Sequence, residues 1–223
     1  MQGTGRILLV LIVVFSLVSC ATAHVDDDGL KDVNLCEKYI SLNGKSNDSG
    51  KQYLIIDLPS ESPFTIISAM ESLEIKDGFL YVGANWCPYC RNLMPVLTDV
   101  LIQNGMTIYA TELDDIKSLW NLDENNSPVC TRTGTDEYFK LLDWLSGLLR
   151  DYTLKDKGGT VHQTGEKRIY MPCIFRIKDN TPIEMWSLQS VDGYESGTDS
   201  YDRWSKYQSG LVRMSLSKFI LSD

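Results

Sequence analysis

The sequence predicts an α/β fold, and three observations carry the prediction. Strand-type apolar runs alternate with segments of helical periodicity from residue 51 to residue 221. A Cys-x-x-Cys pair, Cys87 and Cys90, sits where one such strand gives way to a helix. A strand–turn–strand unit over 168–188 carries a proline inside its first strand.

Taken in order, "KQYLIIDL" (51–58) is predicted as the first strand. Ser62 to Glu74 is predicted as a helix, with Ser62 as its cap and Pro63 in its first turn. "GFLYVGA" (78–84) is a short apolar run of strand type. From Pro88 the pattern turns helical: Leu93, Val96, Leu97, Val100 and Leu101 fall at spacings of three and four, and Gly105 closes the helix. "MTIYATEL" (106–113) is the next strand. Thr135 can cap a helix whose first turn holds Asp136 and Glu137. Its apolar face is Tyr138, Leu141, Leu142, Leu145, Leu148, Leu149 and Tyr152, and it is expected to pack on the core. Gly158-Gly159 and the polar run to Lys167 read as loop. Arg168 to Ile177 reads as a strand interrupted by Pro172, Lys178-Asp179-Asn180 as a turn, and Thr181 to Leu188 as the antiparallel partner. Tyr207 to Leu221, with Leu211, Met214, Ser215 and Ile220 among charges, reads as the final helix.

The N-terminus bears on the compartment. Arg6 precedes twelve mostly apolar residues, Ile7 to Val18. As a helix these would rise about 18 Å, short of the ~30 Å hydrocarbon core, which is signal-peptide length. The run ends in Leu17-Val18-Ser19-Cys20, which resembles the lipobox of bacterial lipoproteins. That resemblance implies a signal peptide over 1–19, a lipidated Cys20, and an extracytoplasmic protein anchored to the bacterial cell membrane. An ordinary signal peptide cut near Ala23 is the alternative. The polar stretch 20–50 reads as a tether, and 51–223 as the folded domain. A formal charge of −9 argues against nucleic acid and against electrostatic attachment to anionic lipid.

With Cys20 acylated, Cys36, Cys87, Cys90, Cys130 and Cys173 remain, an odd number in a compartment that permits disulfides. The single C-x-x-C and the isolated remaining cysteines do not suit zinc, and no metal or cofactor is expected. The pair can be a structural staple or a disulfide built to open and close. Cys87 at a helix N-terminus meets the helix dipole and free backbone N–H groups, which favour a thiolate. Pro88 suits the first turn, where its missing N–H costs nothing. Two cysteines one turn apart can close a disulfide, and a low-pKa thiolate is a good leaving group.

Trp86-Cys87-Pro88-Tyr89-Cys90, with Pro95 inside the following helix, resembles the active site of the thioredoxin superfamily. The Pro88-Tyr89 pair is similar to that of glutaredoxins. The resemblance covers about residues 51 to 221 and implies a central mixed sheet flanked by helices. It implies that Cys87 exchanges disulfides and that Cys90 resolves them. It further implies a cis Met171–Pro172 bond facing the cysteines, with Met171 pairing to an extended thiol- or disulfide-containing protein segment, and a redox partner protein. The alternative for Pro172 is an edge-strand proline. The enlarged connection over about 114–166, expected to be helical, together with "RIYMPCIFRIKDN", is similar to thioredoxin-like proteins of Gram-positive bacteria, including those called bacteriocin-transport accessory proteins.

The chain also departs from that pattern. Cys87 and Pro172 lie 85 residues apart, about twice the family's minimal spacing. Tyr81 occupies the place of the buried acid that reducing thioredoxins carry. Cys173 reads as a small buried apolar residue or as a further redox group, and Cys36 and Cys130 as free or bridged. Two functions follow: a membrane-anchored thiol–disulfide oxidoreductase, or a non-enzymatic binding protein on the same scaffold.

Overall fold

The computed structural model describes residues 34–197 and 199–222; the predicted signal segment and Cys20 lie outside the described residues. The elements are α1 (Leu35–Ile40), β1 (Phe64–Ile66), α2 (Ala69–Ser72), β2 (Gly78–Val82), α3 (Pro88–Gln103), β3 (Ile108–Thr111), β4 (Leu119–Leu122), β5 (Pro128–Arg132), α4 (Asp136–Leu145), β6 (Arg150–Lys155), β7 (Val161–Arg168), β8 (Cys173–Lys178), β9 (Thr181–Ser187) and α5 (Lys206–Leu221). Five strands form one mixed sheet in the order β1-β3-β2-β8-β9. The first three run parallel, and β8 and β9 join antiparallel. This is a mixed α/β architecture with helices on both faces of the sheet.

Side-chain alternation along β2 divides the core. Phe79 and Tyr81 face a cluster shared with α1, α3 and α5, while Leu80 and Val82 face a second cluster built with α2 and α4. The same alternation on β8 sends Ile174 to the first face and Cys173, Phe175 and Ile177 to the second. Among the described residues no helix is long and apolar enough to cross a membrane.

Several expectations hold. α3 starts at Pro88 and ends at Gln103, with Asn104 as its C-cap and Gly105 in the left-handed region (φ 61°). Asp179 and Asn180, both at positive φ, make the tight turn between β8 and β9. Thr135 caps α4 through its Oγ1, and Ser205 caps α5. On α5, however, Met214 is exposed, and the buried residues are Val212, Leu216, Phe219 and Ile220.

Others need correction. Residues 51–58 form no strand of the sheet; their one ladder contact is an isolated Ser46–Gln52 bridge. Ile56 and Leu58 are buried, but the backbone is bonded by side chains: Asn43 exchanges hydrogen bonds with Ile56, and Arg91 donates to the Leu54 carbonyl. The sheet's edge strand is instead Phe64–Ile66, inside the predicted helix, where a β-branched run outweighs helix propensity. That helix shrinks to Ala69–Ser72, capped not by Ser62 but by Ser68, in a capping box with Glu71. The expected tether contains α1, whose Leu35, Cys36 and Tyr39 are buried.

The insertion is mainly β rather than helical. α4 ends at Leu145, because Ser146-Gly147 opens a 3₁₀ turn, and Tyr152 lies on β6. The predicted loop up to Lys167 is β7, paired with β6, and β4 and β5 form another hairpin across a turn with Asn126 at φ 61°. The β6–β7 hairpin is mostly polar apart from the buried Tyr152, and Leu119, Trp120, Leu122 and Val129 of β4 and β5 are half-buried or exposed, so neither hairpin presents a fully buried apolar face. The strand expected over 168–177 is two strands: Arg168 ends β7 and Cys173 begins β8.

Candidate active site

β2 ends at Val82 and the chain turns through residues 83–86 to Cys87, the N-cap of α3. The Cys87 Sγ accepts the Cys90 N–H at 3.4 Å, which does for this helix what a Ser or Asp oxygen does for others. Pro88 occupies the first helical position, as expected. Cys87 keeps 6% of its surface exposed and Cys90 none. Both thiols are free.

Their electrostatics diverge. The Cys87 thiol is held below its ordinary value, first by the hydrogen bond from the Cys90 side chain and then by the backbone N–H groups of Cys90 and Tyr89, against burial and the nearby Asp114. Burial pushes the Cys90 thiol well up, and its hydrogen bond to Cys87 adds to this. Cys87 is therefore the easier of the two to deprotonate and the only one with any exposed surface, and Cys90, one turn away, is the harder.

Tyr81, in the place of the expected acid, is buried, and its hydroxyl lies 2.9 Å from that of Tyr39 on α1. The phenol presses so closely on the next turn of chain that a Cβ at position 83 would stand 2.1 Å from it, which leaves only glycine there. Burial raises both phenols well above the usual range, so they are hydrogen-bond donors and not bases. Tyr81 interacts with Cys90 from behind, and its bond favours the Cys90 thiolate.

The other predicted residues gather at the same end of the sheet. Trp86 is 40% exposed; its indole N–H donates to Asp114, and Lys117 Nζ lies 5.1 Å from its ring centroid. The Met171–Pro172 bond is cis. Because Val82 pairs with Cys173, that bond sits just beyond the end of β2, where the chain leads to Cys87. Met171 lines one pocket with Cys87 and another, of about 390 Å³, with Tyr89 and Pro172. Cys173 faces the opposite side of the sheet from the pair and behaves as a small buried apolar group, its thiol raised by burial alone. Cys36 is buried beside α3, Cys130 lies on β5, and both are free rather than bridged.

Two contributors were missed from sequence. Tyr39 lay in the supposed tether. Arg91, directly after Cys90, is fully buried and, among the described residues, has no carboxylate partner. Its guanidinium donates to the carbonyls of Leu54, Tyr39 and Asn85 and to the Asn43 side chain, at 2.6–2.9 Å. A charged residue on the helix stripe of Cys87, Cys90 and Met94 was the available signal. Asn92 completes the clasp by accepting the Trp204 N–H at 2.9 Å. No family model matches the chain, and no curated protein matches it either.

Proposed function

We propose that this chain is a thiol–disulfide oxidoreductase on a thioredoxin-like scaffold. It acts outside the cytoplasm, anchored to a bacterial membrane through a lipidated Cys20, on extended protein segments that carry thiols or disulfides. One observation carries the reading: Cys87, the N-cap of α3, with its thiol held below its ordinary value, sits one helical turn from a fully buried Cys90 thiol and lines a pocket with Met171.

In the reducing direction, the Cys87 thiolate attacks one sulfur of a partner disulfide. The partner's S–S bond breaks, and its other sulfur leaves as a thiolate that takes a proton from solvent. Cys90 then gives its proton to solvent, with the Tyr81 hydroxyl supporting the thiolate, and attacks Cys87 Sγ. The mixed disulfide breaks, the second partner thiolate leaves, and a Cys87–Cys90 disulfide forms. Two electrons have passed to the partner. The reverse sequence oxidises a partner dithiol. Proximity gives the resolving step a high effective molarity.

Stabilisation of the Cys87 thiolate favours the reduced form, so the pair should lean towards oxidation or isomerisation of partners. Its potential is expected above that of thioredoxin, ~−270 mV, and nearer ~−230 to −180 mV. Equilibration with glutathione buffers, read by alkylation of Cys87, tests this. A potential at or below thioredoxin's would make the chain an anchored reductase. A pair that never exchanges in the folded protein would make it a binding protein with a static staple.

A further inference from the structure

The pocket on the insertion side of Cys87 has a charge pattern that disulfide exchange by itself does not require. It encloses about 160 Å³ and is lined by Trp86, Cys87, Lys117, Tyr138, Arg168 and Tyr170, among others. At ~30 Å³ per water molecule, this is room for a carboxylate and a short methylene stem. Arg168 lies with its guanidinium carbon 4.1 Å from the Tyr152 ring centroid and 5.0 Å from that of Tyr170. The rings hold the cation in place without supplying an anion.

Among the described residues, no carboxylate forms an ion pair with Arg168. Glu166, two residues earlier on β7, brings a negative charge to the same Tyr138 that Arg168 acts on, but among the described residues its buried Oε2 has no hydrogen-bond partner, so it is not clasped by the guanidinium. Directly across the hairpin, Arg168 pairs with the exposed Arg150, which supplies a like charge and no counterion. Lys117, the other cation in the pocket, is already balanced by Asp114 at 2.6 Å. The chain's net charge of −9 repels anions at long range, so selection of an anion here has to come from a local cation.

The geometry points to a carboxylate subsite beside Cys87, built by the insertion around Arg168, that selects thiols and disulfides bearing an anionic group close to the sulfur. This rests on the oxidoreductase reading for its biological use, but binding of the carboxylate does not. A guanidinium fork can hold a carboxylate through two parallel N–H···O bonds, which fixes the sulfur's approach to Cys87 as well as its charge preference.

The reduced full-length protein and its Arg168→Met and Arg168→Lys variants are treated with iodoacetate and with iodoacetamide, and modification of Cys87 is followed by peptide mass spectrometry. The ratio of the iodoacetate rate to the iodoacetamide rate is expected to fall about tenfold in Arg168→Met, with partial recovery in Arg168→Lys. The iodoacetamide rate itself should stay within about twofold, which separates a binding role from misfolding. An unchanged ratio overturns the subsite. In a second arm, exchange with 3,3′-dithiodipropionate is compared with cystamine, and a peptide disulfide with Glu beside its cysteine is compared with the Gln version. In a protein that exchanges these disulfides, preference for the small dianion alone supports a small-molecule thiol, preference for the Glu peptide supports a protein segment, and preference for neither overturns the proposal. A protein that keeps the alkylation preference but exchanges no disulfide retains the subsite and overturns the oxidoreductase reading.

Discussion

Residues 34–58 and residues 114–170 both elaborate the central sheet, and they are attached in opposite ways. The N-terminal stretch has a single short helix, yet it delivers Leu35, Tyr39 and Ile56 to the cluster that holds Cys87 and Cys90. Its backbone is bonded directly to the Arg91 guanidinium. The insertion has four strands and a helix, and its apolar residues Tyr138, Leu141, Leu142 and Leu145 belong to the cluster on the other face. It meets the cysteine pair at the rim, through Asp114 on Trp86, the pocket of Lys117 and Arg168, and Tyr170 beside Tyr89. Regular structure is thus a poor guide to coupling. Damage to the irregular stretch should reach Cys90, whereas damage inside the insertion should stay local.

Arg91→Met breaks the comparison most sharply. It removes the guanidinium donors that tie Leu54, Tyr39 and Asn43 to α3 and strands buried carbonyls that each cost ~1–3 kcal/mol when unpaired. Because some of these carbonyls can regain water, a total of about 3–5 kcal/mol is expected, read as a lower denaturation midpoint. Reactivity of Cys90 towards alkylation should rise alongside it. Retention of a wild-type midpoint would show that the stretch is held by apolar packing alone.

Tyr39→Phe is gentler. It deletes one hydroxyl and leaves that of Tyr81 without its 2.9 Å partner, at about 1–2 kcal/mol. Its diagnostic effect is on resolution: breakdown of a Cys87 mixed disulfide should slow while its formation is unchanged. Stopped-flow measurement of the two steps checks this, and equal slowing of both would remove the Tyr39–Tyr81 pair from the resolving step.

The pH dependence sharpens the site side of the comparison. The folded value of Cys87 lies below its unfolded value of ~8.5, so the stability it contributes to the reduced protein is fully present above ~8.5 and lost as pH falls through the depressed folded value. Cys90 runs the other way: its value is raised, so its contribution is present below the ordinary thiol range and lost as pH rises through its folded value. Urea denaturation of the reduced protein against Cys87→Ser isolates the first effect. The difference should grow with rising pH up to ~8.5, and a flat difference would mean that the thiolate is not stabilised by folding.

Thr135→Ala should leave the cysteine pair untouched. Loss of the Oγ1 acceptor for the Tyr138 N–H costs about 1 kcal/mol at the α4 N-terminus. The alkylation rate of Cys87 should not change, and a shift in it would show that the insertion's core is coupled to the site after all.

Strong local signals were legible in the sequence. Pro88 and the apolar stripe fixed α3, Thr135 fixed the start of α4, and Asp179-Asn180 fixed the final hairpin, because caps, prolines and positive-φ turns act within a few residues. The order Trp86, Cys87, Pro88, Tyr89, Cys90 and the proline at 172 named the candidate site for the same reason. What lay beyond reach was decided over long separations. Whether residues 51–58 or 64–66 form the edge strand depends on what else can bond each backbone, and Asn43 and Arg91 settle that from outside the segment. The β hairpins of the insertion bury little beyond Tyr152, so no clear period-two apolar pattern marks their strands in the sequence. The placing of Tyr39 behind Cys90 and of Arg168 beside Cys87 is likewise tertiary: composition can supply a phenol and a guanidinium, but only the packed chain brings them to opposite sides of one thiol pair.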